Sequence, residues 1–205
     1  MEVFLFPLVN VSLFPKTTKP LNIFEPRYLE MVKTAAEKKT PIAIGFIEDA
    51  SQVGPVTIGE SVQYVRPVAG YGYVQIVEER LNGTLLVFLQ GAGKVRLGKV
   101  VDRGTPYMVV EAQEMTEETS VRPESKAGLD HLLKILTRWI HTHIPDPVQQ
   151  EVFMRSLTGP EEIVGAFSSY LVRDYDLQQM SLEFDDINKK IDFLHRLTES
   201  NELTT

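Results

Sequence analysis

The chain has 205 residues, of which 43% are hydrophobic and 24% charged, and it has no cysteine. That composition excludes a disordered or fibrous chain, disulfides, thiol catalysis and thiolate zinc sites, and it fits a reducing, cytoplasmic setting. The formal charge is −7, with 12 Lys/Arg against 14 Asp/Glu over residues 1–118 and 9 against 14 over residues 119–205. Neither half therefore carries the basic excess from which phosphate binding draws its affinity.

The first part of the chain reads mainly as β. Leu5-Phe6-Pro7-Leu8 and Val11-Ser12-Leu13-Phe14-Pro15 are short apolar segments, and their prolines suit edge strands and turns. Leu21–Phe24 reads as a further strand. A helix is expected over residues 26–38, with Pro26 in its first turn, Glu25 and Glu30 near the positive end of its dipole, and Leu29, Val32 and Ala36 on its core face. Pro41–Ile47 is a continuous apolar run, as expected of a buried strand. Tyr73–Arg80 and Thr84–Gln90 flank Asn82-Gly83, which predicts a hairpin with a type I′ turn. Lys94–Leu97 alternates polar and apolar, and Tyr107–Glu111 completes the β series.

Residues 116–126, TEETSVRPESK, read as a polar linker. Helical periodicity follows. Leu129, Leu132, Leu133, Leu136 and Ile140 share one face of a helix that must end before Pro145. Val148–Leu157 forms a shorter helix. Thr158 and Glu161 have the spacing of a capping box for a helix through Ile163, Val164, Phe167, Tyr170 and Leu171. Phe184, Ile187, Ile191, Leu194 and Leu197 recur at steps of three and four in a last helix. That stripe fits packing within a bundle and equally a weak homo-oligomer. No apolar run approaches the ~20 residues that span a bilayer, and the apolar start lacks a basic leader, so neither membrane insertion nor secretion is expected.

Motifs for covalent chemistry are absent. There is no Walker A loop, no G-x-S-x-G elbow and no H-E-x-x-H. Gly91-Ala92-Gly93-Lys94 only resembles a phosphate loop and reads as a turn at a strand edge. Gly70-Tyr71-Gly72-Tyr73 is too short for a dinucleotide fingerprint. The four histidines are His131, His141, His143 and His195. His141 and His143 point to different sides of one helix, which is wrong for a shared metal. Adjacent Asp185 and Asp186 suit a helix N-cap, and Trp139 suits a core contact. No catalytic residue, cofactor site or metal site is expected.

The front of the chain carries the informative motif. Phe6, Pro7 and Leu8 lead to Leu13, Phe14 and Pro15. Pro20, Leu21, Ile23, Phe24, Glu25, Pro26, Arg27 and Tyr28 follow. This resembles the N-terminal domain of the ATP-dependent Lon proteases and the small bacterial proteins made of that domain alone. Asn82–Val87 with Gly91 and Arg96 is similar to a later hairpin of that family, although Gln90–Lys94 departs from its usual pattern. The resemblance implies an α+β fold: an N-terminal PUA-like β pseudobarrel with one helix over residues 1–118, then a C-terminal helical bundle over residues 119–205. It also implies a non-catalytic module that recognises polypeptide segments or a protein partner. The polar ending from Thr198 fits a stand-alone protein. Two modes are open: an exposed strand edge that pairs with an extended peptide, and an apolar patch that holds exposed hydrophobic side chains.

Among the motif residues Pro7, Phe14, Pro15, Phe24, Glu25, Pro26, Arg27 and Tyr28, packing is the main role expected. Phe24 and Tyr28 are expected in the core, and Arg27 beside a carboxylate. PUA-like barrels also serve RNA or small ligands, for which Arg66, Arg80, Lys94, Arg96, Lys99 and Arg103 are the candidate cations. The charge balance disfavours a nucleic-acid partner.

Overall fold

A computed structural model describes residues 1–200, so the last five residues of the polar ending lie outside the described residues. The chain divides into two compact units, Met1–Met115 and a second that starts at Thr116. The fold is α+β.

The first unit holds six strands and one long helix: β1 Glu2–Val9, β2 Thr18–Ile23, α1 Pro26–Lys38, β3 Ile42–Ile47, β4 Val68–Glu79, β5 Leu85–Val101 and β6 Met108–Glu114. The strand order is β2-β5-β4-β3-β1-β6, and β6 returns to pair with β5. Five strands thus close on themselves while β2 stays at an edge. Closure depends on the length of β5. Its first part, Leu85–Gln90, lies between β2 and β4; its second part, Val95–Val101, pairs with β6. Register shifts at Tyr71/Gly72 and at Leu97/Val100 mark where the ladder bends.

β1 and β3 run parallel, and both are buried on two faces, which explains the unbroken apolar run at 42–47. Phe4, Phe6, Ile42 and Ile44 enter one core with Tyr28, Met31 and Val32 of α1. Val3, Leu5, Ala43 and Ile47 enter a second core with Val95 and Val110. Pro7 is accommodated by alternation. The N–H groups of Phe4 and Asn10 donate to Pro41 and Ile47, so even-numbered N–H groups face β3. Pro7 faces the other side, where β6 pairs only as far as Leu5.

Several local expectations are corrected. Val11–Pro15 is a loop and not a strand. The buried face of α1 is Tyr28, Met31, Val32 and Ala35, rotated from the expected Leu29/Val32/Ala36 stripe, and no acid lies in its first turn. Of Asn82 and Gly83, only Gly83 has positive φ (81°). The hairpin is a three-residue loop: Gly83 N–H donates to Arg80 O at 2.8 Å and Arg80 N–H to Thr84 O at 2.9 Å. Gly91–Lys94, expected as a turn, is the interior of β5, and Gly70–Tyr73 lies within β4.

The second unit packs α2 Lys126–His143, α3 Pro147–Ser156, α4 Pro160–Tyr170, α5 Tyr175–Glu183 and α6 Ile187–Glu199. Leu132, Leu136 and Ile140 of α2 meet Val164 and Phe167 of α4 and Ile187, Ile191, Leu194 and Leu197 of α6. The α6 stripe is therefore consumed inside the unit. The capping box at Thr158 does not form; Gly159 is the N-cap of α4 and makes no side-chain cap bond. Asp186 caps α6 by accepting from Asn188 N–H. No described helix is long and apolar enough to cross a membrane.

The expected linker is also different. Glu118 N–H donates to Asp185 O at 2.9 Å, and Ile187 N–H to Glu118 O at 2.8 Å. Asn188 Oδ1 accepts from Arg122 N–H at 2.8 Å, and Asn188 Nδ2 donates to Ser120 O at 3.0 Å. Residues 117–122 thus lie along the start of α6.

Candidate functional site

The two halves of the front motif have different fates. Phe14 is buried, and the loop through Pro15 is seated by glycines of the sheet. Lys16 N–H donates to Gly91 O at 2.9 Å, and Gly91 N–H to Thr17 O at 2.8 Å. Thr17 Oγ1 donates to Phe14 O at 2.7 Å. A Cβ at Gly70 would stand 1.7 Å from Leu13 O, and one at Gly91 would stand 2.1 Å from Phe14 O. No side chain can occupy either position. The loop therefore lies in backbone contact with the sheet and delivers β2 to the flank of β5.

Beyond β2, Phe24 is 71% exposed, which corrects the expectation that it packs. Glu25 is the N-cap of α1 without a side-chain cap bond, and Pro26 opens the helix. Arg27 pairs with Glu25 at 2.9 Å, both half-exposed, and its guanidinium lies 4.5 Å from the Tyr28 ring centre. Tyr28 is buried against Phe6, with ring centroids 4.4 Å apart, and burial raises its hydroxyl pKa. The block thus anchors α1 through Tyr28 while leaving Phe24 in solvent.

Phe24 is not alone. Ile23 is opposite Leu85, and Leu85 is opposite Glu79, so Phe24 follows β2 at the same end as the β4–β5 loop with its fully exposed Leu81. Three strands, β2, β5 and β4, form an antiparallel arm here. Leu85, Val87 and Leu89 of β5 turn into the core; Leu86, Phe88 and Gln90 take the opposite face. Cross-strand rows on that face are Tyr73–Gln90–Thr18 and Gln75–Phe88–Pro20. Tyr73, Val77 and Phe88 are exposed large apolar side chains. The arm therefore carries Tyr73 and Phe88 on its outward face, with Val77, Leu81 and Phe24 exposed toward its loop end, where Glu79 pairs with Lys33 and Glu78 with Arg80. Phe24 apart, sequence reading missed these residues. The signal was present in parity: Phe88 and Tyr73 are large and apolar at positions where alternation calls for polar ones.

At the edge of this arm, β2 carries Pro20, which has no N–H to donate. Peptide pairing along β2 would lack that bond. The surface, rather than the edge, is the accessible feature.

The other sequence candidates fall elsewhere. Arg66 pairs with Glu48 and Arg103 with Glu2. Lys94, another candidate cation, is only 2% exposed. Of the other candidate cations, Arg80 pairs with Glu78, and Arg96 and Lys99 are exposed. His141 Nδ1 lies 2.9 Å from Gln150 Oε1, and His143 stacks on Trp139 with ring centroids 4.9 Å apart. The His131 and His195 rings are 5.1 Å apart. Among the described residues no group of three or more His, Asp or Glu stands close enough to hold a metal ion.

Comparison with known proteins follows this geometry. A family model described as "ATP-dependent protease La (LON) substrate-binding domain" matches residues 2–200. A Lon N-terminal domain protein from Xanthomonas campestris is similar in structure, with a TM-score of 0.67 at 18% identity over 95% of this chain and 96% of that one. The N-terminal domain of the Mycobacterium avium complex Lon protease superposes with a TM-score of 0.73 at 13% identity over 97% of this chain and 98% of that one. These two likenesses speak to the fold. A search of the curated proteins found no match.

Proposed function

Because the chain belongs to the family of ATP-dependent protease La (LON) substrate-binding domains, we propose that it is a non-catalytic module that binds exposed apolar segments of polypeptides. The observation that carries this reading is the arm of β2, β5 and β4, with Tyr73, Val77, Leu81, Phe88 and Phe24 in solvent. An exposed apolar cluster on a well-packed unit gains from being covered by apolar side chains of a partner. Aromatic anchors provide most of such binding energy. Holding a segment across a sheet surface requires no bond making, and the seated loop at Gly70 and Gly91 keeps the surface preformed.

The RNA-binding reading is less favoured, because Arg66, Arg80 and Arg103 are paired with carboxylates and Lys94 is buried, which leaves Arg96 and Lys99 as the remaining exposed candidates. The test is a titration with an unfolded polypeptide and with its folded counterpart. Preferential binding of the unfolded form is expected, and Tyr73→Ser/Phe88→Ser should weaken it at least about tenfold. Equal binding of both forms, or an unchanged affinity in the double variant, would overturn the reading.

A further inference from the structure

Asn82 is the only asparagine of the chain that precedes a glycine; Asn10, Asn22 and Asn188 precede Val11, Ile23 and Lys189. The Asn82-Gly83 pair stands at the tip of the β4–β5 hairpin. Leu81, Asn82 and Gly83 are all exposed, and a Cβ built at Gly83 meets no atom within 4 Å. Packing therefore does not hold the tip against local rearrangement. Asn82 Oδ1 accepts from Thr84 N–H at 3.1 Å. That bond draws electrons away from Asn82 Cγ and stabilises negative charge that develops on Oδ1, as a donor in an oxyanion hole does. Gly83 has no side chain to shield its backbone nitrogen from that carbon.

We propose that Asn82 is a site of spontaneous deamidation whose isoaspartate product loosens the hairpin tip. The backbone nitrogen of Gly83 gives its proton to solvent base and attacks Asn82 Cγ. The new N–C bond closes a cyclic succinimide, the Cγ–Nδ2 bond breaks, and Nδ2 leaves as ammonia. Water then opens the ring at either carbonyl. One opening gives aspartate; the other gives isoaspartate, in which the main chain runs through the side-chain carbon. Water is the only co-reactant, and nothing is oxidised or reduced.

One bond opposes the attack. Gly83 N–H donates to Arg80 O at 2.8 Å, so the reaction waits on its opening. The bond closes an exposed loop, where local opening costs little. Isoaspartate then adds a methylene to the main chain inside a loop that Arg80 N–H to Thr84 O also closes. Those two bonds fit the shorter chain. The site does not depend on the binding function proposed above.

The test incubates the full chain at mildly alkaline pH beside a synthetic peptide of residues 78–87. Both are mapped by mass spectrometry and by isoaspartate-specific methylation. Aspartate and isoaspartate should accumulate at position 82 within about tenfold of the peptide's rate, the factor set by opening one exposed hydrogen bond. Asn10, Asn22 and Asn188 should stay intact. The rate should rise about tenfold per pH unit, as for a nucleophile far below its pKa. Asn82→Gln, which would have to close a larger ring, should stop the conversion. Hydrogen exchange at the Arg80 and Gly83 amides should rise in the isoaspartate form and stay unchanged in Asn82→Asp, which keeps the main-chain length. A rate below the stated range would overturn the proposal. So would faster conversion at another asparagine, or unchanged exchange in the isoaspartate form.

Discussion

Three side chains show how far a residue type predicts its surroundings. Phe24 is a large aromatic that reads as core, yet the chain leaves β2 and enters α1 with that side chain in solvent. Composition cannot reveal this, because the turn geometry between the two elements decides it. Phe24→Ser should therefore change stability by less than about 0.5 kcal/mol, the range for exposed positions, while weakening capture of an unfolded polypeptide. Paired denaturation and binding measurements check both. Tyr71 is the reverse case. Burial first, then its 2.5 Å hydrogen bond to Glu114, pushes its hydroxyl up to about 12. The folded protein then holds a proton that the unfolded chain loses near 10, so stability is complete below pH 10 and declines from there to about 12. Absorbance titration of Tyr71→Phe should lack the latest-ionising tyrosine. Asp186 titrates with the opposite sign. Its hydrogen bonds from Asn188 hold its carboxyl below the usual range. Its contribution is present above the ordinary carboxylate pKa and is lost as pH falls through the depressed value. Asp186→Asn should flatten the acid limb of the stability profile.

Elements were legible where their cause is local. The span of α1 follows from Pro26 at its start, and its end is marked by Lys39 at φ 53°. The α2 and α6 stripes were readable from 3/4 spacing because each has one core to face. Elements set by distant partners were not. β5 is one strand of 17 residues that sequence splits at Gly91 and Gly93, because only the loop and strands packed against it reveal why glycine is needed there. Local and long-range causes differ in magnitude. Gly83→Ala meets no atom and should cost about 1–2 kcal/mol, the left-handed penalty alone. Gly70→Ala drives a Cβ into Leu13 O and should cost about 3 kcal/mol or more, above the usual range for overpacking. Urea unfolding of the two variants measures the difference.

At the scale of the whole molecule, two units with separate cores share one chain. Trp139 is the only tryptophan and packs against the helical core, so its fluorescence reports the second unit. Gly70→Ala should lower the denaturation midpoint followed by tyrosine signals of the first unit and leave the tryptophan midpoint in place. A common shift of both would mean that the units unfold as one. The family motif, the fold class and the bundle were legible. The proposed binding surface was not, since its residues are up to 64 positions apart, from Phe24 to Phe88. Under the proposed function, Pro20, missing a donor in the middle of an edge strand, has a consequence for what would follow capture. A sticky chain resting there finds no continuous ladder to extend, so it is not templated into a growing fibre. It is gripped by side chains alone and can slide, turn and depart. Under the proposed function, such a blunt rim would let each bound segment leave again.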